Sequence, residues 1–205
     1  MRYQAALRSD ESGILACPGP RSQSRHIAAR HLQHITARSR APTLGDDDMD
    51  LILWRHAEAE DSAQSDMGRQ LTSRGRKQAQ AVAKWLRARL SPDALILASP
   101  AARTVQTVES LTDQYRTVDS IGPGASPDAV LAAARWPEGI APTVVIVGHQ
   151  PTLGLVASQL VAGEAAEWTI KKGGLWWLSS RDRPEARRDG LVQVVVRAVL
   201  SPDLA

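Results

Sequence analysis

The 205-residue sequence predicts an α/β fold, a three-layer sandwich with a mostly parallel central sheet and an antiparallel C-terminal pair of strands. Two observations support this prediction. Short apolar runs, as expected for strands buried on both faces, alternate with segments whose apolar residues recur at helical spacing. The last two strand-like segments, 174–180 and 191–200, are joined by a polar loop, which is typical of antiparallel partners.

The elements can be taken in chain order. The apolar run 51–54 predicts the first strand, and Thr72 is a suitable N-cap for a helix over 72–90. The next elements are a strand at 94–98, a helix at 101–115, a helix at 127–134, a strand at 143–147 and a helix at 152–161. Such an alternation predicts right-handed crossovers, and it places ligands beyond the carboxyl ends of the strands.

The first 48 residues differ from the rest of the chain. They are rich in Arg, Ser, Gln and His, with seven arginines against five acids, and they hold no apolar segment long enough for a secretory signal. We expect residues 1–48 to be a disordered extension and residues 49–205 to be the folded domain. Because Met49 directly precedes the first strand, a second hypothesis is that Met49 is the natural start and the extension is not native.

Composition narrows the function classes. No apolar run approaches the roughly 18 residues that a membrane span needs, so no membrane association is expected. The single Cys17 excludes an intramolecular disulfide framework and favours a reducing compartment, the cytoplasm. The chain beyond residue 48 is close to neutral in charge, which does not indicate a nucleic-acid partner.

Arginines and histidines follow three of the predicted strands. The first strand is followed by Arg55 and His56, the second by Arg103 one helical turn further on, and the third by His149. The planar fork of arginine donates two hydrogen bonds to neighbouring phosphoryl oxygens, and helix N-termini favour the same anions. The sequence therefore predicts a phosphate-binding pocket where these strand ends meet.

Four motifs occur in order along residues 49–200. They are Arg55-His56 after the apolar strand, Leu71-Thr72-x-x-Gly75-x-x-Gln78-Ala79, Ser99-Pro100-x-x-Arg103-x-x-Gln106-Thr107 and Val147-Gly148-His149-x-Pro151. This pattern resembles the histidine phosphatase (phosphoglycerate mutase-like) superfamily, and the compact length is most similar to its SixA-like phosphohistidine phosphatase branch. Residues 49–205 are thus expected to form a histidine phosphatase domain. One departure is Ala57, where the family commonly has glycine.

The resemblance implies a mechanism. His56 would attack phosphorus as a neutral imidazole and form a phosphohistidine enzyme that water then hydrolyses. Arg55 and Arg103 would disfavour the imidazolium form of His56, and with His149 they would neutralise the phosphoryl oxygens. Neither a metal nor another cofactor is expected, because the arginines supply the positive charge.

The proton donor is the open part of this mechanism. The acid phosphatase branch has an Asp directly after its second histidine, where this chain has Gln150. Mutase-like branches place a Glu after the second motif, and Glu109 lies in that region but on the predicted helix. Glu58, two residues past His56, is the candidate donor, with a solvated loop carboxylate as the alternative. A missing strong acid favours phosphohistidine as substrate, since its imidazole leaving group is easily protonated.

The leading hypothesis is a phosphatase for phosphohistidine on a protein partner, for which a histidine phosphotransfer domain is one candidate. The alternative enzyme is a phosphatase for small phosphate monoesters, and a different class is a non-catalytic phosphate-binding module. Mutase activity is less favoured, because this short chain lacks insertions that could form a cap. The neighbouring residues Lys171 and Lys172 are interpreted as a solvated pair, with contact to an acidic partner as the alternative.

Overall fold

The computed structural model describes residues 48–181 and 192–205. Apart from Asp48, the proposed N-terminal extension therefore lies outside the described residues, as does the predicted polar loop between the last two strands. No helix in the two described ranges is long and apolar enough to span a bilayer.

The described chain folds into an alternation of strands and helices. The strands are β1 (Asp50–Arg55), β2 (Leu95–Ala98), β3 (Arg116–Thr117), β4 (Thr143–Gly148), β5 (Leu175–Arg181) and β6 (Gln193–Leu200). The helices are α1 (Ser73–Arg87), α2 (Ala102–Glu109), α3 (Pro127–Ala134) and α4 (Thr152–Ala162), with 3₁₀ turns at Asp66–Gly68, Asp119–Ile121 and Pro202–Leu204.

The strands form one six-stranded sheet in the order β3-β2-β4-β1-β5-β6. Strands β3, β2, β4 and β1 run parallel to one another, whereas β5 is antiparallel to β1 and β6 is antiparallel to β5. The predicted mostly parallel sheet with an antiparallel C-terminal pair is thus confirmed. Strand β4 lies between β2 and β1, so the three strands that precede the predicted pocket are direct neighbours.

Two apolar layers cover the sheet. Successive side chains of a strand point to opposite faces, so Leu51 and Leu53 pack with α3 and α4, while Ile52 and Trp54 pack with α1 and α2. The pair Trp176 and Trp177 divides in the same way between the two layers. The sheet thus has helices on both faces, which is the three-layer sandwich that the sequence predicted.

The helix boundaries follow local chemistry. The Thr72 hydroxyl accepts a hydrogen bond from the backbone N–H of Gly75 at 2.9 Å, which is the predicted N-cap of α1. The predicted helix over 101–115 is wrong in its length, because α2 ends at Glu109. The Arg87 guanidinium donates to the carbonyl oxygens of Ser110 and Leu111, which turns the chain away from the helix axis. The segment then forms β3, a two-residue strand that the sequence analysis did not predict.

A close approach between α1 and the loop after β1 requires glycine at position 75. A Cβ atom at this position would lie 1.9 Å from the carbonyl oxygen of Glu58. We expect Gly75→Ala to lower the free energy of unfolding by about 2 kcal/mol, because backbone must move to relieve the overlap. This cost outweighs the helix-propensity gain of about 1 kcal/mol that alanine brings.

Urea denaturation would measure this change. Ser73→Ala, an exposed substitution in the same first turn of α1, is the control and should alter stability little. Equal or greater stability of Gly75→Ala would contradict the packing described for this turn.

Candidate active site

The residues after β1, β2 and β4 converge at one edge of the sheet. The strand ladder continues one residue past the strand ends: His56 N–H donates to the Gly148 carbonyl at 3.1 Å, and Ser99 N–H donates to the Val147 carbonyl at 3.0 Å. The imidazole rings of His56 and His149 consequently lie side by side, with ring centroids 5.3 Å apart. The structure therefore brings together the two histidines that the sequence placed on separate strand ends.

The ring of His56 is held in one tautomer. Its Nδ1 lies 2.7 Å from the backbone carbonyl oxygen of Ala57. A carbonyl oxygen only accepts hydrogen bonds, so Nδ1 carries the proton and donates it. In the neutral ring the lone pair is then on Nε2, which is the form that a nucleophilic imidazole requires.

His56 is also kept neutral by its surroundings. Burial, as the largest cause, and the charges of Arg103, Arg55 and Arg69 together lower its pKa to about 4, against the opposing effect of the hydrogen bond to Ala57. Only 9% of the residue's surface is exposed. The sequence analysis attributed neutrality to the arginines, but removal of the ring from water is the larger cause.

This lowered pKa predicts a specific titration behaviour. The folded-state pKa lies below the ordinary value of about 6.5, so His56 should stay neutral at pH 7 and gain its proton only near pH 4. We expect the imidazole C–H resonances of His56, assigned by comparison with His56→Asn, to show no titration step between about pH 8 and 5.5. A midpoint near 6.5 in NMR titration would contradict the buried, cation-flanked environment.

His149 is buried beside His56 and has one free ring nitrogen. Its Nε2 shares a hydrogen bond of 2.8 Å with the Ser99 hydroxyl, while Nδ1 has no partner in the described part of the protein. Burial, as the largest cause, together with His56, Arg103 and Arg55 lowers the pKa of His149 to about 3, against an opposing effect of Asp66. His149 is therefore a neutral ring.

The two predicted arginines lie beside these rings. One terminal nitrogen of Arg55 donates to the Ile170 carbonyl at 2.6 Å, and burial lowers the pKa of Arg55. Arg103 is 4% exposed, and its two terminal nitrogens donate to the backbone oxygen of Asp66 at 2.6 Å and to its carboxylate at 2.9 Å. Both arginines have a buried Nε with no partner among residues 48–181 and 192–205.

Unpartnered buried polar atoms concentrate in this pocket. Five such side-chain atoms occur in the described ranges, and three of them are Arg55 Nε, Arg103 Nε and His149 Nδ1. Buried polar groups are normally hydrogen-bonded, so a cluster of orphaned nitrogens indicates a place for a ligand that accepts hydrogen bonds. Since the arginine nitrogens are cationic donors, the fitting ligand is an anion.

Asp66 is a pocket residue that the sequence analysis did not identify. It lies in the 3₁₀ turn between β1 and α1, where its carboxylate pairs with Arg103 at 2.9 Å and with Arg69 at 3.3 Å. These hydrogen bonds lower the pKa of Asp66, the one to Arg103 most. The available signal was an acid and an arginine three residues apart in the loop that follows His56. Both terminal nitrogens of Arg103 are engaged by Asp66.

The residues considered as proton donors lie in different surroundings. The Glu58 carboxylate accepts a hydrogen bond of 2.8 Å from the Thr72 hydroxyl and lies 3.7 Å from the Arg74 guanidinium, at the start of α1. The amide of Gln150 is used at both ends, donating to the Trp168 carbonyl and accepting from Gly154 N–H. Gln150 thus anchors α4.

Glu109 lies on α2, as the sequence predicted, and is the last residue of that helix. Its carboxylate accepts a hydrogen bond from the Tyr115 hydroxyl at 3.2 Å.

Several motif residues support the loop that carries the histidine. Thr107 accepts a hydrogen bond from Ala57 N–H at 3.1 Å, Gln78 accepts one from Glu58 N–H, and Gln106 accepts one from Leu71 N–H. Ala57 itself has no positive φ angle, so alanine fits where the family commonly has glycine. The motifs therefore supply both the pocket and its backbone support. No group of three or more His, Cys, Asp or Glu in the described chain is arranged to hold a metal ion.

The sequence and the structure both match known proteins. The family model of the histidine phosphatase superfamily (branch 1) matches residues 51–121. The phosphohistidine phosphatase SixA of Escherichia coli is 31% identical over 124 residues, which cover 57% of this chain and 76% of that protein. A SixA homologue from Haemophilus influenzae is 31% identical over 127 residues, which cover 55% and 77% of the two chains.

Solved structures show the same fold. A SixA structure from Nakamurella multipartitia has a TM-score of 0.62 and 29% identity, and the match covers 76% of this chain and 96% of that one. A SixA structure complexed with tungstate has a TM-score of 0.59 at 21% identity, over 76% and 98% of the two chains. The four motifs in their expected order, the shared fold and these relatives show that the chain belongs to the histidine phosphatase superfamily, in its SixA-like branch.

Proposed function

We propose that this histidine phosphatase hydrolyses phosphohistidine on a protein, with His56 as the nucleophile. The observation that carries the proposal is the tautomer of His56. Its Nδ1–H donates to the Ala57 carbonyl, so the neutral ring has its free lone pair on Nε2. This nitrogen lies in a pocket with the buried Arg103 and the half-buried Arg55, and the buried Nε atoms of both have no partner in the described chain.

In the proposed first step, His56 Nε2 attacks phosphorus and forms a new P–N bond. The P–N bond to the substrate imidazole breaks, its electron pair stays on that imidazole, and a proton from solvent or a nearby acid neutralises the leaving ring. In the second step water attacks the phosphoryl group on His56, which regenerates the neutral enzyme and releases inorganic phosphate. Arg55 and Arg103 stabilise the charge on the phosphoryl oxygens in both steps, together with a hydrogen bond from His149.

The choice of a P–N substrate rests on proton donation. An alkoxide leaving group requires a general acid, whereas an imidazole leaving group is basic enough to be protonated with little help. Gln150 is not an acid, and Asp66 is held ionised by Arg103, which lowers its pKa. The naming of two relatives as phosphohistidine phosphatase SixA and a SixA homologue supports the same substrate class.

A small phosphate monoester is the second candidate substrate, and Glu58 is the observation that favours it. This carboxylate follows the nucleophile by two residues and is only partly exposed. If Glu58 serves as the proton donor, its removal should slow ester cleavage much more than phosphohistidine cleavage.

Phosphate release from a phosphohistidine peptide and from p-nitrophenyl phosphate should therefore be compared in one experiment, with EDTA present. We expect a higher kcat/KM for the phosphohistidine peptide, little effect of Glu58→Gln on that substrate, and full activity in EDTA because arginines supply the charge. If kcat/KM were higher for the ester and this activity were lost in Glu58→Gln, the substrate would be a small monoester instead. Loss of activity in EDTA would contradict a metal-independent reaction.

A further inference from the structure

A groove with an excess of basic side chains opens at the start of α1. It has a volume of about 610 Å³, and its charged lining residues are Arg74, Lys77, Lys171, Lys172, Glu58 and Asp203. We call it the basic groove. None of the four cations belongs to the pocket around His56, and the sequence analysis treated the two neighbouring lysines as a solvated pair.

The basic groove adjoins the pocket through the segment 170–174. At one end of this segment the Ile170 carbonyl accepts the hydrogen bond from Arg55, and near the other end Gly173 N–H donates to the His56 carbonyl at 3.0 Å. Lys171 and Lys172 lie between these two attachments. Two hydrogen bonds, one from the Arg55 side chain and one to the His56 backbone carbonyl, therefore fix the position of the two lysines relative to His56.

The cations of the basic groove are incompletely neutralised. Arg74 pairs with Glu58 at 3.7 Å and Lys171 pairs with Asp203 at 3.6 Å, and these are solvent-exposed contacts of small energetic value. Lys77 and Lys172 form no ion pair within the described ranges and are exposed. The groove thus carries a local positive excess in a domain whose overall charge is close to neutral.

We propose that the basic groove binds acidic side chains that flank the phosphohistidine of a protein substrate. The proposal rests on the proposed function and names the partner's surface chemistry. Carboxylates on the partner would pair with Lys77 and Lys172 while the phosphohistidine enters the pocket beside them. Such complementarity raises the rate of encounter and selects among partners.

The groove favours an acidic protein surface over a nucleic acid strand. The described residues that line it include no aromatic ring on which a base could stack. Glu58 and Asp203 would repel an uninterrupted run of phosphates, whereas separate carboxylates can meet the two unpaired lysines individually. The occupant that fits this charge pattern is a folded or extended protein segment with a few acidic residues.

Two phosphohistidine peptides that differ only in having acidic or neutral flanking residues would test the proposal. We expect the wild-type protein to have a kcat/KM about tenfold higher for the acidic peptide at low salt, and this preference to vanish near 0.5 M salt (about a 4 Å screening length). In Lys77→Glu/Lys172→Glu the ratio between the two peptides should fall to about one or below.

The matched control is Lys84→Glu/Arg116→Glu, the same change of charge at exposed positions outside the groove, which should keep the wild-type ratio. Lys77→Gln/Lys172→Gln provides a milder variant should the reversed charges impair folding. Equal rates for both peptides in the wild type, or a preference that survives both groove variants, would overturn the proposal. Cleavage of p-nitrophenyl phosphate but of neither peptide would instead overturn the proposed function, so the two failures are distinguishable.

Discussion

Replacing His56 with alanine is expected to reduce phosphate release by about 10⁴-fold or more, the scale seen when a covalent nucleophile is removed. The imidazole is the group that would carry the phosphoryl between substrate and water, and no other ring in the pocket has the same arrangement. The Nδ1 of His56 is tied to a carbonyl, whereas Nε2 of His149 is engaged by the Ser99 hydroxyl. Steady-state rates with the phosphohistidine peptide would measure the loss.

His149→Ala is the comparison for this prediction. It removes a buried ring of the same type from the same pocket, but its expected cost is smaller because His149 is assigned a hydrogen bond to the phosphoryl group rather than the transfer itself. If His56→Ala retained more than about a tenth of the wild-type rate, His56 would not be the nucleophile.

Replacing Arg103 with alanine should cost about 10²- to 10³-fold in kcat/KM, as expected for losing a charged donor aimed at the transition state. Arg103 is buried at the start of α2, its Nε has no partner in the described chain, and its charge contributes to the lowered pKa of His56. Arg103→Lys should recover only part of the loss, because an ammonium group cannot reproduce the planar fork.

Arg76→Ala is the control for Arg103, since Arg76 is an exposed arginine on α1 with no ion pair in the described ranges. Its kcat/KM should match the wild type. If Arg103→Lys proved fully active, the requirement for a guanidinium at this position would be wrong, and the contact to Asp66 alone would account for the burial of Arg103.

Most of the fold could be predicted from the sequence because its main strands and helices have clear apolar patterns. Buried strands such as β1 and β4 are continuous apolar runs, and α1 combines a threonine cap with a regular apolar stripe. The exceptions are short or set by tertiary contacts. Strand β3 has two exposed residues and therefore no apolar periodicity, and the end of α2 depends on contacts from Arg87, a residue of another helix.

The site could be predicted from the sequence only in part. Arg55, His56, Arg103 and His149 could be placed together because parallel strands present their carboxyl ends at one edge. The role of Asp66 could not be predicted, because it depends on how a loop without regular structure folds back over Arg103. The tautomer of His56 likewise follows from a backbone carbonyl whose direction no side-chain pattern encodes.

The most direct test of the account is to look for phosphate on His56 itself. The wild-type protein would be mixed with the phosphohistidine peptide, quenched in alkali within one turnover and digested, and the peptide that contains residue 56 would be examined by mass spectrometry. The account predicts an alkali-stable, acid-labile phosphoryl group on His56 in the wild type and none in His56→Ala. Release of phosphate during that turnover with His56 unmodified, or with the phosphoryl group on another residue, would contradict it.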